Sequence, residues 1–208
     1  MKNLRYFKAL LAIAALAIAG HAQSADAPVA GEANRATAIF AGGCFWCVES
    51  DFEKLKGVIE VESGYTAGKL ANPSYEQVSR GGTGHAEAVR VIYDPKVVSY
   101  AALVEYFWRH IDPTVKDRQF CDVGSQYRSG IYWQNEAEHQ VVERSHQALV
   151  NSGRFKAIYT ELAPASAFWP AEEYHQDYYK KNPIRYNYYR ASCGRDARVA
   201  EVWGDKRK

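Results

Sequence analysis

Methionine is almost missing from this 208-residue chain: Met1 is the only one. Cysteine is scarce as well. Its four copies (Cys44, Cys47, Cys121 and Cys193) are few for a disulfide scaffold, and a domain of this length can bury a core without covalent staples. Neither sign of charge is in excess: 26 Lys and Arg stand against 24 Asp and Glu, a formal +2 that offers no case for nucleic-acid binding. The apolar run from Ala9 to Gly20 is too short to span a bilayer comfortably. Internal repeats are lacking, and only residues 23–35, "QSADAPVAGEANR", read as a small, polar, flexible linker. At 47% hydrophobic and 24% charged, the remainder has an ordinary globular composition, which argues against extended disorder.

The first 22 residues, "MKNLRYFKALLAIAALAIAGHA", place Lys2, Arg5 and Lys8 before an apolar run and small residues. This is the three-part pattern of a secretory signal peptide. Cleavage is expected after Ala22, with Ala27 a second fit; retention as an uncleaved anchor is the alternative. The leader carries three positive charges, so the remainder would sit near −1 and hold no methionine. An exported protein, most simply in a bacterial periplasm and free of the membrane after cleavage, is therefore expected.

One domain is expected over residues 36–208. "ATAIFA" (36–41) reads as a short buried strand ended by Gly42-Gly43, followed by helical spacing at Val48, Phe52 and Leu55 up to a stop at Gly57. "VIEVESGY" (58–65) and "EAVRVIYD" (87–94) alternate as strands do. Ser99 can cap a helix ending before Asp112-Pro113, and a long polar helix is predicted from about Asn135 to Asn151. "GIYW" (130–133) and "AIYTEL" (157–162) read as strands, and "AEEYHQDYYKK" (171–181) as a helix begun by Pro170. Strands and helices mix without a strict βαβ repeat, which favours α+β. From Asn182 the weak periodicity predicts a long, coil-rich C-terminal tail packed over the core.

The chemistry concentrates in "GGCFWCVE" (42–49). A cysteine at a helix start lies near unpaired backbone N–H groups and the positive end of the helix dipole, which favour its thiolate. Gly42 and Gly43 allow a sharp turn from strand into helix. Cys44 is thus a candidate nucleophile, and Cys47, one turn on, is close enough to pair with it. Taken alone, C-x-x-C is equally open to a buried structural pair and a redox pair. No second C-x-x-C or close C-x-x-H completes a zinc clip, and His139, Glu143 and His146 read as a solvated helix face. Phe45 and Trp46 fit an apolar wall beside the nucleophile or plain core packing.

Six segments in order then resemble one family. "GGCFWCVE", "GYTAG" (64–68), "NPSYEQV" (72–78), "GGTGHAEAVRVIYDP" (81–95), "GSQYRSGIY" (124–132) and "HQDYYKKNP" (175–183) are similar to the A-type peptide methionine sulfoxide reductases (MsrA). The resemblance spans roughly residues 36–204. It implies a single two-layer α/β sandwich of ferredoxin-like type and reduction of the S epimer of methionine sulfoxide, protein-bound or free.

The resemblance also assigns roles. Cys44 would attack the sulfoxide sulfur, and Glu87 would be the general acid, which requires a site that raises its pKa. Tyr75 and Tyr127 would hydrogen-bond the sulfoxide oxygen, with Asp122 nearby. Phe45 and Trp46 would form the methyl cage. The sulfenic acid left on Cys44 would be resolved by Cys47 first, with Cys193 as a second resolving or relay thiol; Cys121 would be structural or incidental. No bound cofactor or metal is implied, only an external thioredoxin-like dithiol. Oxidised proteins or peptides are the expected partners of a monomer. A thioredoxin-like oxidoreductase and a non-enzymatic exported binding domain are the competing classes.

Overall fold

The computed structural model describes residues 34–204. The expected leader and nearly all of the linker lie outside the described residues. Seventeen elements follow in order: β1 (Ala36–Gly42), α1 (Phe45–Phe52), β2 (Val58–Thr66), α2 (Tyr75–Ser79), β3 (Ala86–Tyr93), α3 (Tyr100–Trp108), β4 (Arg118–Gln119), β5 (Asp122–Val123), a 3-10 turn (Ser125–Tyr127), β6 (Ser129–Trp133), α4 (Glu136–Asn151), β7 (Glu161–Pro164), β8 (Trp169–Pro170), a second 3-10 turn (Glu173–His175), α5 (Tyr178–Lys181), α6 (Pro183–Cys193) and α7 (Arg195–Trp203).

Six strands form one sheet in the order β7-β6-β1-β3-β2-β8. All neighbours run antiparallel except β6 and β7. Alternation along β1 sends Ala38 and Phe40 to one face and Ile39 and Ala41 to the other. The first face carries the main core. There Phe40 stacks on Phe52 at 4.9 Å and on Phe107 at 5.1 Å, joining the sheet to α1 and α3. The opposite face is thinner, with Ala86, Ala88 and Tyr132 backed by Ala163 and Phe168. This is the expected mixed α/β sandwich with the nucleophile helix laid on its sheet.

Helix starts follow local chemistry. The Ser99 hydroxyl accepts from Ala102 N–H at 3.2 Å and the Asn135 side chain from Glu138 N–H at 3.0 Å. Ser74 and Gln77 close a reciprocal capping box that starts α2, a short helix the periodicity does not announce.

Three expectations are corrected. The tail from Asn182 is helical, not coil. Pro183 starts α6, Gly194 ends it in the left-handed region at φ 69°, and α7 buries Arg195, Val199 and Trp203 at four-residue spacing. The helix expected over 171–181 is broken, because Gln176 leaves helical geometry to clamp an edge. Its amide accepts from Ser63 N–H at 2.8 Å and donates to Ser63 and Ala171 carbonyls at 2.9 Å each. Asp177 follows at φ 53°. The strand expected over 157–162 lies at Glu161–Pro164, where β6 offers parallel partners.

Candidate active site

β1 delivers the chain into the site and α1 begins there. Cys44 caps α1 after Gly43, whose φ of 87° and whose Cα hydrogen facing Gln119 leave no room for a side chain; a Cβ would meet Gln119 Cβ at 2.7 Å. β3, paired directly with β1 in the sheet, brings Glu87 under the helix start. α2 supplies Tyr75, the turn after β5 supplies Tyr127, and β5 supplies Asp122.

These residues meet. Cys44, Phe45, Trp46, Tyr75, Glu87, Asp122 and Tyr127 line one cavity of about 80 Å³, together with Tyr189 from α6. That volume is well below the roughly 300–1,000 Å³ of drug-sized ligand sites and suits the tip of a side chain.

Glu87 is buried, and its Oε2 accepts the Phe45 N–H at 3.0 Å. Burial pushes its carboxyl up to about 8 against that hydrogen bond, with Asp122 and Cys47 adding to the rise. At neutral pH it is an acid with a proton to give. Burial raises the Asp122 carboxyl as well, while the Tyr189 hydroxyl, donating to its Oδ2 at 2.6 Å, opposes the rise. Burial likewise lifts the phenols, Tyr75 to about 12 and Tyr127 and Tyr189 further, so all three remain hydrogen-bond donors.

The Cys44 thiol departs from the helix-start argument. Burial pushes it well above its ordinary range, followed by the hydrogen bond and charge of Cys47 and the charge of Glu87. The first free N–H of α1 is given to Glu87, so it does not serve the sulfur. The same interaction acts in opposite directions on the pair, raising Cys44 and lowering Cys47, so Cys44 is the thiol that keeps its proton longer.

Phe45 is buried and Trp46 partly so. Trp46 stacks flat on Tyr178, centroids 3.7 Å apart, and its Nε1 donates to His175 Nδ1 at 3.0 Å. His175 also packs on Phe45 and Tyr75 at 5.0 and 4.4 Å. Cys44 and Cys47 are free thiols, whereas Cys193 is bonded to Cys121. The structure therefore takes Cys193 to Cys121 and not to Cys44, and Cys121 has a bonded partner.

The family model described as "Peptide methionine sulfoxide reductase" matches residues 36–207. The chain belongs to the peptide methionine sulfoxide reductase family. Among its relatives, it is 51% identical over 176 residues to the peptide methionine sulfoxide reductase MsrA/MsrB of Vibrio cholerae, covering 84% of this chain and 47% of that one. The chain thus spans about half the length of that relative. Against the peptide methionine sulfoxide reductase MsrA of Bacillus licheniformis it is 47% identical, over 83% of this chain and 96% of the other. Methionine sulfoxide reductase A of Corynebacterium diphtheriae is structurally similar, with a TM-score of 0.66, 34% identity, and coverage of 74% of this chain and 77% of that one.

In this family member, several residues around the site escape sequence reasoning. Glu172 accepts from Tyr65 OH at 2.9 Å and from Tyr75 N–H at 2.8 Å, pinning the helix that carries Tyr75. Glu49 closes the "GGCFWCVE" stretch, fully buried, and accepts the Asp177 N–H at 3.0 Å; burial pushes it up to about 8. Tyr189 sits in a tyrosine-rich run where nothing local distinguishes it. The one available signal is for Glu49: a carboxylate on the apolar face of a short helix needs a buried partner.

Proposed function

We propose that this oxidoreductase returns the S epimer of methionine sulfoxide, free or in peptides, to methionine by a sulfenic acid on Cys44. The observation that carries this reading is the convergence of a thiol, a neutral carboxylic acid, phenol donors and an aromatic wall on one small cavity.

A sulfoxide oxygen is a good acceptor and a poor leaving group, so attack at sulfur needs a proton on oxygen. Glu87 supplies it while Tyr75 and Tyr127 hold the oxygen. Cys44 attacks the sulfur, and the proton it gives up restores Glu87. The oxygen passes to the Cys44 sulfur and two electrons pass the other way, leaving a thioether and a sulfenic acid. Handedness follows from three fixed directions: oxygen toward Glu87 and the phenols, methyl toward Phe45 and Trp46, and the attack path from Cys44.

Cys47 then displaces the hydroxyl of the sulfenic acid as water and forms the Cys44–Cys47 disulfide, with its three-residue separation giving a high effective concentration. An external thioredoxin-like dithiol reduces that disulfide. The three-part pattern of residues 1–22 supports a signal peptide and placement in the periplasm, which calls for an exported or membrane-tethered donor. Domain limits at 22 and 35, with a monomeric reductase domain from 36 onward, complete the reading.

The test is incubation of the purified mature chain with each methionine sulfoxide epimer and dithiothreitol. Methionine from the S epimer alone is expected. No turnover, or equal turnover of the R epimer, overturns the reading.

A further inference from the structure

Behind α1 lies a buried charge cluster that the first chemical step does not use. Asp51, one turn beyond Cys47, is almost fully buried and faces two arginines. Arg190 Nη2 is 2.9 Å from Asp51 Oδ1, and Arg195 Nε is 3.5 Å from Asp51 Oδ2. Lys54 reaches the same carboxylate from the surface at 3.6 Å. Arg195, only 2% exposed, also donates to the Gly42 carbonyl at 2.9 Å and the His110 carbonyl at 3.0 Å. Its Nε and Asp51 Oδ2 have no hydrogen-bond partner among the described residues. The other carboxylate on Arg190, Asp196, is 61% exposed.

Arg190 is held by Asp196 through two hydrogen bonds as well as by Asp51, so the deeper Arg195 has only a share of the one buried carboxylate, Asp51. An unbalanced buried cation is costly unless another anion stands near it. Cys47 is placed to be that anion: it is buried against Tyr186, whose hydroxyl accepts from Arg190 Nη1 at 3.0 Å, and Arg195 is tied to the strand end just before Cys44. The other titratable groups around Cys47 are Cys44 and Asp51 on its own helix, Glu87 on β3, Tyr178 on α5, and Tyr186 and Tyr189 on α6. Among the charges acting on Cys47, Arg195 and Arg190 are cationic and Asp51 is anionic.

We propose that Arg190 and Arg195 activate Cys47 as the nucleophile that resolves the Cys44 sulfenic acid, their field making the Cys47 thiolate the second buried anion of the cluster beside Asp51. This rests on the reading that Cys47 is the resolving thiol. The Cys47 sulfur attacks the Cys44 sulfur, an S–S bond forms and the S–O bond breaks. The hydroxide leaves with the proton of Glu87 as water; the Cys44 sulfur is reduced and the Cys47 sulfur oxidised. The Cys47 thiol lies below its ordinary range in the resting site: the hydrogen bond from Cys44 lowers it most, burial opposes, and Arg195 and Arg190 lower it further. Once Cys44 is a sulfenic acid that S–H donor is gone, and the arginines remain. They act here as positioning and activating residues for Cys47.

Rapid-quench single turnovers across pH, reading methionine and the Cys44–Cys47 disulfide separately, test this. In Arg190→Gln the pH midpoint of disulfide formation should rise by about one unit. Tenfold less thiolate, partly offset by a more basic and hence more reactive sulfur, makes resolution roughly threefold slower below both midpoints. Above both midpoints the variant should be roughly threefold faster than the parent, a crossing that a merely loosened site would not give. Arg190→Lys should restore the parent midpoint. The surface change Asp196→Asn should move the midpoint down, since it strips a negative partner from Arg190. Parallel slowing of Arg190→Gln at every pH, or an unmoved midpoint in both Arg190→Gln and Asp196→Asn, overturns the proposal. Cys47→Ser separates the two layers. If its sulfenic acid persists while the midpoints stay put, the arginine proposal alone fails; if it forms a disulfide at the parent rate, the resolving role of Cys47 fails and the proposal with it.

Discussion

Replacing Glu87 with glutamine keeps the side chain's shape and its ability to accept the Phe45 N–H, and removes only the acidic proton. With its carboxyl near 8, Glu87 in the parent is roughly nine-tenths protonated at pH 7 and about one-tenth at pH 9. Methionine formation in a single turnover should therefore fall through about pH 8 in the parent. In Glu87→Gln it should be lower by about 10²–10⁴ at pH 7, the span of general acid catalysis, and should lose the alkaline fall. The same proton enters stability. The native carboxyl holds it up to about pH 8, whereas the unfolded chain releases it near its ordinary value of 4.5. The folded state then binds more protons between those values, so this stability is fully present below pH 4.5 and is lost as pH rises through 8. The difference amounts to on the order of 5 kcal/mol. Urea titrations at pH 5 and pH 8.5 should show Glu87→Gln losing much less stability than the parent over that interval. Glu49, also near 8, contributes a slope of the same sign that the variant keeps. A single-turnover rate within about fivefold of the parent at pH 7, in a folded variant, would refute the general-acid assignment.

Three further changes test other parts of the site. Cys47→Ser should leave a persistent sulfenic acid on Cys44 after one turnover, seen by mass spectrometry; a Cys44–Cys193 disulfide appearing as fast as the parent's would reverse the resolving order. Trp46→Phe keeps an apolar wall but strips His175 Nδ1 of its donor. Urea unfolding should register a loss of about 1–3 kcal/mol together with a raised KM, and a neutral result would mean that hydrogen bond is not sustained. The pair Cys121→Ser and Cys193→Ser opens a cross-link with a sequence separation of 72, for which the chain-entropy model gives on the order of 4 kcal/mol of lost stability. Single-turnover disulfide formation at Cys44 should survive the double change, and its abolition would give Cys193 a part in resolution.

Much of the fold is legible because its signals are local. The strand at 36–41, the alternation of 87–94, the cap at Ser99 and the helix start at about Asn135 each rest on neighbouring residues, and each appears where expected. The C-terminal segment is misread because α6 buries only Tyr186 and its remaining aromatics point into the site or outward. Its helical period is therefore nearly silent. Gln176 breaks the helix expected over 171–181 for a partner 113 residues away, which no local window contains.

The site divides the same way. That a cysteine follows a strand and two glycines at the start of a helix, with a second thiol one turn later, is written in eight consecutive residues. Motif order likewise brings Tyr75, Glu87, Asp122 and Tyr127 into consideration before any coordinates. Whether those thiols are charged is not a local property. Burial and then Cys47 raise Cys44, while the hydrogen bond from Cys44, followed by the arginines from α7 and α6, lowers Cys47 against its own burial, although helix-start chemistry points to Cys44 as the thiolate. The pairing of Cys193 with Cys121 is settled in the same way, by where the C-terminal helices dock. Electrostatic energy depends on distance and on exclusion of water, and both exist only once the chain has packed.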